Sequence, residues 1–218
     1  FKYGFNLDSV YIEEDQFEPN QFFSEILLSS GIPYQRIHEL AQSSKDVFSV
    51  RKFRSGKPYA LIREEACAPP SYFIYEPNPY RYVIFPIDSS DRHVEICERP
   101  VEHRTRTASG TIDHSLWISM KNTGYSSALI AKMEDALGWA VDFYHIQKGD
   151  SYKLIFEEEF IDGESVGIGR LQAAYFNQNG EEHYSIWYEN DKYAGYYDLK
   201  GRPMKRAFLK SPVRYARI

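Results

Sequence analysis

Cysteine is almost missing from this chain: Cys67 and Cys97 are the two thiols among 218 residues, too few for a disulfide scaffold or a four-cysteine zinc site. They flank a stretch that reads as a hairpin, so one bridge and a pair of free thiols both stay open. No run approaches the roughly 18 to 20 continuous apolar residues that a membrane span needs, and the opening FKYGFNLDS lacks the basic and apolar regions of an export signal. Because position 1 is Phe, the expectation is a processed or recombinant piece, from which an export signal or lipid anchor could have been removed. A basic excess is missing too. The 31 acidic against 26 basic side chains leave a net charge of −5, which argues against a nucleic-acid partner. The basic positions Lys205, Arg206, Lys210, Arg214 and Arg217 read as a solvated strand edge or an interdomain surface.

Catalytic signatures are equally scarce. Gly167-Ile168-Gly169 has neither the third glycine nor the following helix of a dinucleotide loop, and reads as a turn or bulge. Glu157, Glu158 and Glu159 are consecutive strand residues that point to alternate faces, so they read as edge charges and not as an acid/base pair. No Gly-x-Ser-x-Gly elbow is present, and neither cysteine stands in a nucleophile signature.

What is present is enough to build a core. Apolar residues make up 43% and charged residues 26%, and 18 Tyr with 14 Phe and 3 Trp raise the aromatic share to 16%. Such aromatic weight favours strands and sheet cores. A strand over Val10 to Phe17 is followed by a turn at Pro19-Asn20 and by a helical stripe of Phe22, Phe23, Ile26 and Leu27 that stops at Gly31. Pro33 opens a second helix with Ile37, Leu40 and Ala41 on one face, and Tyr59 to Ile62 forms a strand after the turn at Gly56. Residues 66–107 are β-rich, with a hairpin over Tyr72 to Phe85, a turn at Asp88 to Asp91 and a strand from His93 to Cys97. Ser115 to Leu137 gives two more short helices around Gly124, and the remainder alternates as antiparallel strands.

Sliding the chain on itself by 93 residues places Gly31 on Gly124, Ile37 on Ile130, Gly56 on Gly149, Tyr59 on Tyr152 and Leu61-Ile62 on Leu154-Ile155. These matches fall on the punctuating glycines and buried strand positions of one helix-turn-helix-turn-strand unit, which points to an internal duplication.

FSEILLSSGIPYQRIHELAQ followed by KFRSGKPYALI, within Ser9 to Ile62, resembles a divergent LysM module of the opacity-associated type, with Glu18-Pro19-Asn20-Gln21 where the usual Gly-Asp-Thr-Leu stands. ASGTIDHSLW (108–117), WAVDFYHIQKGDSYKLIFEEEFIDGESVGIGRLQAAYF (139–176) and GYYDLKGRPMKRAFLKSPVRYARI (195–218) are similar to the second N-terminal domain of lysostaphin-like zinc endopeptidases of the bacterial envelope. This resemblance implies a chain that is the non-catalytic half of an exported murein endopeptidase, with zinc and the catalytic domain elsewhere in the intact protein. The family's zinc site uses His-x3-Asp and His-x-His. His38, His93, His103, His114, His145 and His183 form neither spacing.

The fold expected is therefore α+β: a LysM-like βααβ module over 1–65, a connecting hairpin region over 66–107, and a mainly antiparallel β domain over 108–218 that holds a second helix-helix-strand unit. No catalytic residue and no metal ligand are assigned. The LysM resemblance implies a glycan groove edged by Pro19, Asn20, Gln21, Ser44, Lys45 and Asp46, small and without an aromatic platform. The partners implied are peptidoglycan and the protein's own catalytic domain in cis, in the cell envelope or periplasm. A free-standing peptidoglycan-binding module is the alternative.

Overall fold

The computed structural model describes residues 1–88 and 93–204. The turn expected up to Asp91 and the basic positions from Lys205 onward lie partly or wholly outside the described residues. The chain divides into two units, Phe1–Val101 and Glu102–Ile218, and each has its own antiparallel sheet and helix pair.

The first unit runs β1 (Tyr11–Gln16), α1 (Phe23–Ser29), α2 (Tyr34–Ser43), β2 (Pro58–Arg63), β3 (Tyr72–Asn78), β4 (Arg81–Pro86) and β5 (Glu95–Glu98). Its sheet has the order β1-β2-β3-β4-β5. Alternation along β2 sends Tyr59 and Leu61 toward the helices and Ala60 and Ile62 to the other face. On the helix side, Phe23, Ile26 and Leu27 of α1 and Ile37 and Leu40 of α2 close over Phe73, Tyr75, Val83 and Phe85. Here the aromatic excess finds its place: Phe17, Phe53, Tyr59 and Phe73 pack ring on ring, with Tyr59 and Phe73 stacked at 5.4 Å. Tyr3 covers the opposite face, where its hydroxyl donates to Glu14 at 3.0 Å and Glu76 at 2.5 Å. Arg99 donates to the same Glu76 carboxylate at 2.7 Å and lies over the Tyr3 ring.

The second unit repeats this plan: β6 (Glu102–Thr111), α3 (Leu116–Asn122), α4 (Ser127–Leu137), β7 (Ser151–Ile161), β8 (Glu164–Gln178), β9 (Glu181–Glu189) and β10 (Ala194–Tyr197). Its order is β10-β9-β8-β7-β6, so each strand has the same neighbours as its counterpart. Leu116, Met120, Leu129, Ile130, Met133 and Leu137 pack from the helices onto Tyr152, Leu154, Phe156, Leu171 and Phe176.

The duplication extends to single hydrogen bonds. Ile32 N–H donates to Leu27 at 3.0 Å, and Tyr125 N–H to Met120 at 3.0 Å, each across a glycine with φ of +85° and +87°. Gly56 N–H donates to the Phe17 carbonyl as Gly149 N–H does to Ile112, at 2.7 and 2.9 Å. Helices and second strand thus keep the 93-residue offset, while the first strand sits at 95, because the turn from Ile112 to Leu116 is two residues shorter than that from Phe17 to Phe23.

Two sequence readings are corrected. The stretch 66–107 is not a separate connection: backbone pairing of Tyr59 with Tyr75 and of Val83 with Ile96 builds β3 to β5 into the first sheet, and β6 belongs to the second. Glu157 to Glu159 do not sit on an edge, because β7 pairs with both β6 and β8. The register shifts there let Glu158 meet Arg106 and Ser165, at 3.1 and 2.6 Å. Cys67 and Cys97 are both free thiols.

Candidate functional site

The first unit carries a groove of about 530 Å³ where the turn before α1, the start of α2 and the 3-10 turn Val50–Lys52 converge. Gln21, Phe22, Ser24, Tyr34, His38 and Arg51 line it. Its rim follows from how the two helices begin. The turn at Glu18 to Gln21 is closed by the Gln21 side chain, whose oxygen accepts from the Glu18 N–H at 2.9 Å, and Asn20 adopts φ of +65°. Phe22 then takes the N-cap position with no acceptor of its own, and the Glu25 carboxylate accepts its N–H at 2.8 Å. The Phe22 ring is left 64% exposed. Pro33 caps α2 in the same way, without a side-chain hydrogen bond, and puts Tyr34 at the first turn, 67% exposed.

Of the six residues expected to edge a glycan groove, Gln21 lines this one. Pro19 and Asn20 are exposed in the adjoining turn. Ser44, Lys45 and Asp46 are not on it, because the chain after α2 folds back on the helix: the Ser44 hydroxyl donates to the Ala41 carbonyl at 3.2 Å, Phe48 N–H donates to Ser44 at 2.8 Å, and Lys45 reaches the Gln42 side chain. Ser44 itself is fully buried. Val50 to Phe53 form that wall instead. Unlike the groove expected, this one carries aromatic side chains, since Phe22 and Tyr34 occupy helix starts where Ser, Thr, Asp or Asn is the usual choice. Aromatic residues at two such positions were the signal in the sequence.

Among the described residues no group of three or more His, Cys, Asp and Glu side chains is arranged to hold a metal ion. His145 pairs with Asp142 at 2.6 Å and His103 lies 3.8 Å from Glu157, each a pair without a third ligand. The described residues therefore do not fit a zinc site, and no zinc step is derived from them.

Two α+β units on one strand order define a duplicated architecture. Residues 101–218, more than half of the chain, match the family described as the Csd3 second domain, and the chain belongs to that family. It is 30% identical over 142 residues to the peptidoglycan DD-endopeptidase ShyC of Vibrio cholerae, a match covering 65% of this chain and 32% of that protein. In structure it is similar to a zinc-containing peptidase from Vibrio cholerae, with a TM-score of 0.66 and 19% identity over 90% of this chain and 60% of that one. Csd3 of Helicobacter pylori superposes with a TM-score of 0.60 at 14% identity, covering 85% and 50%. The chain spans about a third of the curated relative's length.

Proposed function

We propose that this chain is the targeting and regulatory part of an exported zinc metalloendopeptidase that cleaves the peptide crosslinks of peptidoglycan. The observation that carries this reading is the match of 101–218 to the Csd3 second domain, joined to a relative named as a peptidoglycan DD-endopeptidase, of which this chain spans 32%. The first unit acts as a LysM-like module, its groove at Gln21, Phe22 and Tyr34 resting on the glycan backbone. The two exposed rings support this, since sugar rings pack their C–H faces on aromatic surfaces and shallow grooves bind through such contacts. The second unit lies next to the catalytic domain and holds it latent in cis until a partner displaces it. The protein works in the cell envelope, and zinc belongs to the catalytic domain.

A trans-inhibition assay tests the reading. The parent's catalytic domain, loaded with zinc, releases monomers from crosslinked muropeptide dimers, and this chain is added in increasing amounts. A falling rate together with retention of the chain on purified sacculi is the expected outcome. An unchanged rate with no retention ends the proposal.

A further inference from the structure

The second unit has a cleft of about 800 Å³ on its β9-β10 edge, lined by Ile186, Tyr188, Tyr193, Tyr197, Leu199 and Pro203 among others. Tyr188, Tyr193 and Leu199 are 52%, 62% and 65% exposed, an unusual density of uncovered apolar side chains for one corner of a unit. Tyr188 and Tyr197 meet edge to face at 5.9 Å, which fixes two ring planes at right angles. Register explains the arrangement: Tyr197 pairs with Ile186 and Gly195 with Tyr188, and a side chain at Gly195 would first meet the Tyr197 ring, at 4.0 Å.

Both walls are held by side-chain hydrogen bonds. Asn190 Oδ1 accepts the N–H groups of Lys192 and Tyr193 at 3.0 and 2.8 Å, and its Nδ2 donates to the Tyr188 hydroxyl at 3.0 Å. Asp198 closes the other loop by accepting from the N–H groups of Lys200 and Arg202, at 2.8 and 2.9 Å, and by pairing with the Arg202 guanidinium at 2.6 Å. The cleft is thus formed before any ligand arrives, which reduces the ordering cost of binding. Among the described residues that line it, Asp198 is the one charged side chain, and Arg202 compensates it.

We propose that this cleft is a second saccharide subsite, taking a neutral N-acetylhexosamine ring of the glycan strand. The inference rests on the envelope reading above and names a different surface from the first-unit groove. A compensated, tyrosine-lined cleft suits a ring whose C–H face packs on one phenol while its hydroxyls pair with another. The Tyr188 oxygen, already accepting from Asn190, keeps its own proton to donate.

The test is a titration of the isotopically labelled chain with a chitin tetramer, read by amide NMR. Shifts over 186–203 that saturate in the millimolar range are expected. Tyr193→Ala weakens them about three- to tenfold, the worth of one aromatic contact, and Tyr193→Phe retains them. Tyr193 is well exposed, so unchanged amides elsewhere show that the variant keeps its fold. Shifts confined to the groove at Phe22 and Tyr34 overturn this inference and leave the first-unit reading standing. Shifts confined to 186–203 support it and remove the first-unit groove, and shifts at neither place overturn both. A sugar-free dimer in sedimentation that Tyr193→Ala dissolves assigns the cleft to a second copy and also overturns it.

Discussion

Tyr152 stands opposite Gly110 in the β6-β7 pair, and the missing side chain of Gly110 is what leaves room for the phenol. A Cβ at Gly110 would come within 2.7 Å of the Tyr152 hydroxyl oxygen. The first unit has solved the same corner differently. There Tyr59 faces Asp15 in register and donates to its carboxylate at 3.4 Å, and burial followed by the charge of Asp15 pushes the phenol up to about 12. In the second unit glycine replaces the aspartate, and the buried Tyr152 hydroxyl has no carboxylate to pair with, Thr123 being the polar side chain that interacts with it without a well-formed hydrogen bond.

Gly110→Ala is therefore expected to cost about 1–3 kcal/mol, since the ring carbons also lie 3.0 and 3.1 Å from the new methyl and the ring must move. Tyr152→Phe alone is expected to change stability by no more than about 1 kcal/mol, because the buried hydroxyl it deletes has no well-formed hydrogen bond. Urea midpoints read both, and an unshifted midpoint for Gly110→Ala refutes the packing argument.

The Tyr3-Glu76-Arg99 network gives a pH signature. Burial opposes ionisation of Glu76, but hydrogen bonds from Arg99 and Tyr3 outweigh it and hold the carboxyl below its ordinary value of 4.5. A carboxylate lowered in this way stabilises the fold above about pH 4.5 and loses that contribution as pH falls through the lower native value. The stability gap between the protein and Glu76→Gln is thus expected to narrow on acidification. Tyr3 runs the other way: burial and then the Glu76 hydrogen bond raise it well above 10.0, so its contribution persists to that pH and fades only in stronger alkali. Arg99→Ala should cost about 2–3 kcal/mol at neutral pH by leaving a part-buried carboxylate short of a donor. Equal acid limbs for the protein and Glu76→Gln in denaturant melts from pH 3 to 7 would remove this account.

Helix starts in the second unit are capped by serine. The Ser115 and Ser126 hydroxyls accept the N–H groups of Ile118 and Leu129, at 3.2 and 3.4 Å. Replacing either serine with alanine is expected to lower stability by about 1 kcal/mol, more for Ser115 with its shorter bond, as seen in the thermal midpoint.

Gly31 and Gly124 provide a matched pair. Neither would meet an atom within 4 Å on gaining a Cβ, so an alanine there is opposed by the positive φ alone. Each substitution should cost about 1–2 kcal/mol, and the double variant their sum, because the two turns belong to different units. Asn at either position should restore part of the loss. Unequal single costs would show that the two turns are less alike than their hydrogen bonds indicate.

Much of the duplication was legible because left-handed turns demand glycine: Gly31 with Gly124 and Gly56 with Gly149 mark both copies at one spacing. The first strand was not, since a two-residue difference in one turn moves Phe17 and Ile112 off that spacing and their side chains share no chemistry beyond being apolar. That β3 to β5 complete the first sheet was also hidden, because strand pairing over long separations leaves no local mark on Tyr72 or Val83. At the candidate groove, Gln21 is the expected residue that lines the cavity, and that expectation came from the LysM resemblance. Ser44 to Asp46 do not line this cavity, and polar residues after a helix look alike in sequence whether they face a groove or bond back to the helix, as Ser44 does.

The shortened turn in the second copy has a consequence for how the two halves have diverged. By the 93-residue offset, Phe22 and Tyr34 answer to Ser115 and Ser127, so the corner that presents two rings in one copy presents two hydroxyls in the other. Everything behind that corner, from the glycine turns to the strand order, is shared. Selection acting on a ligand could therefore rewrite this corner in one descendant while its sibling kept an inherited helix cap, and neither change would disturb the ancestral scaffold beneath.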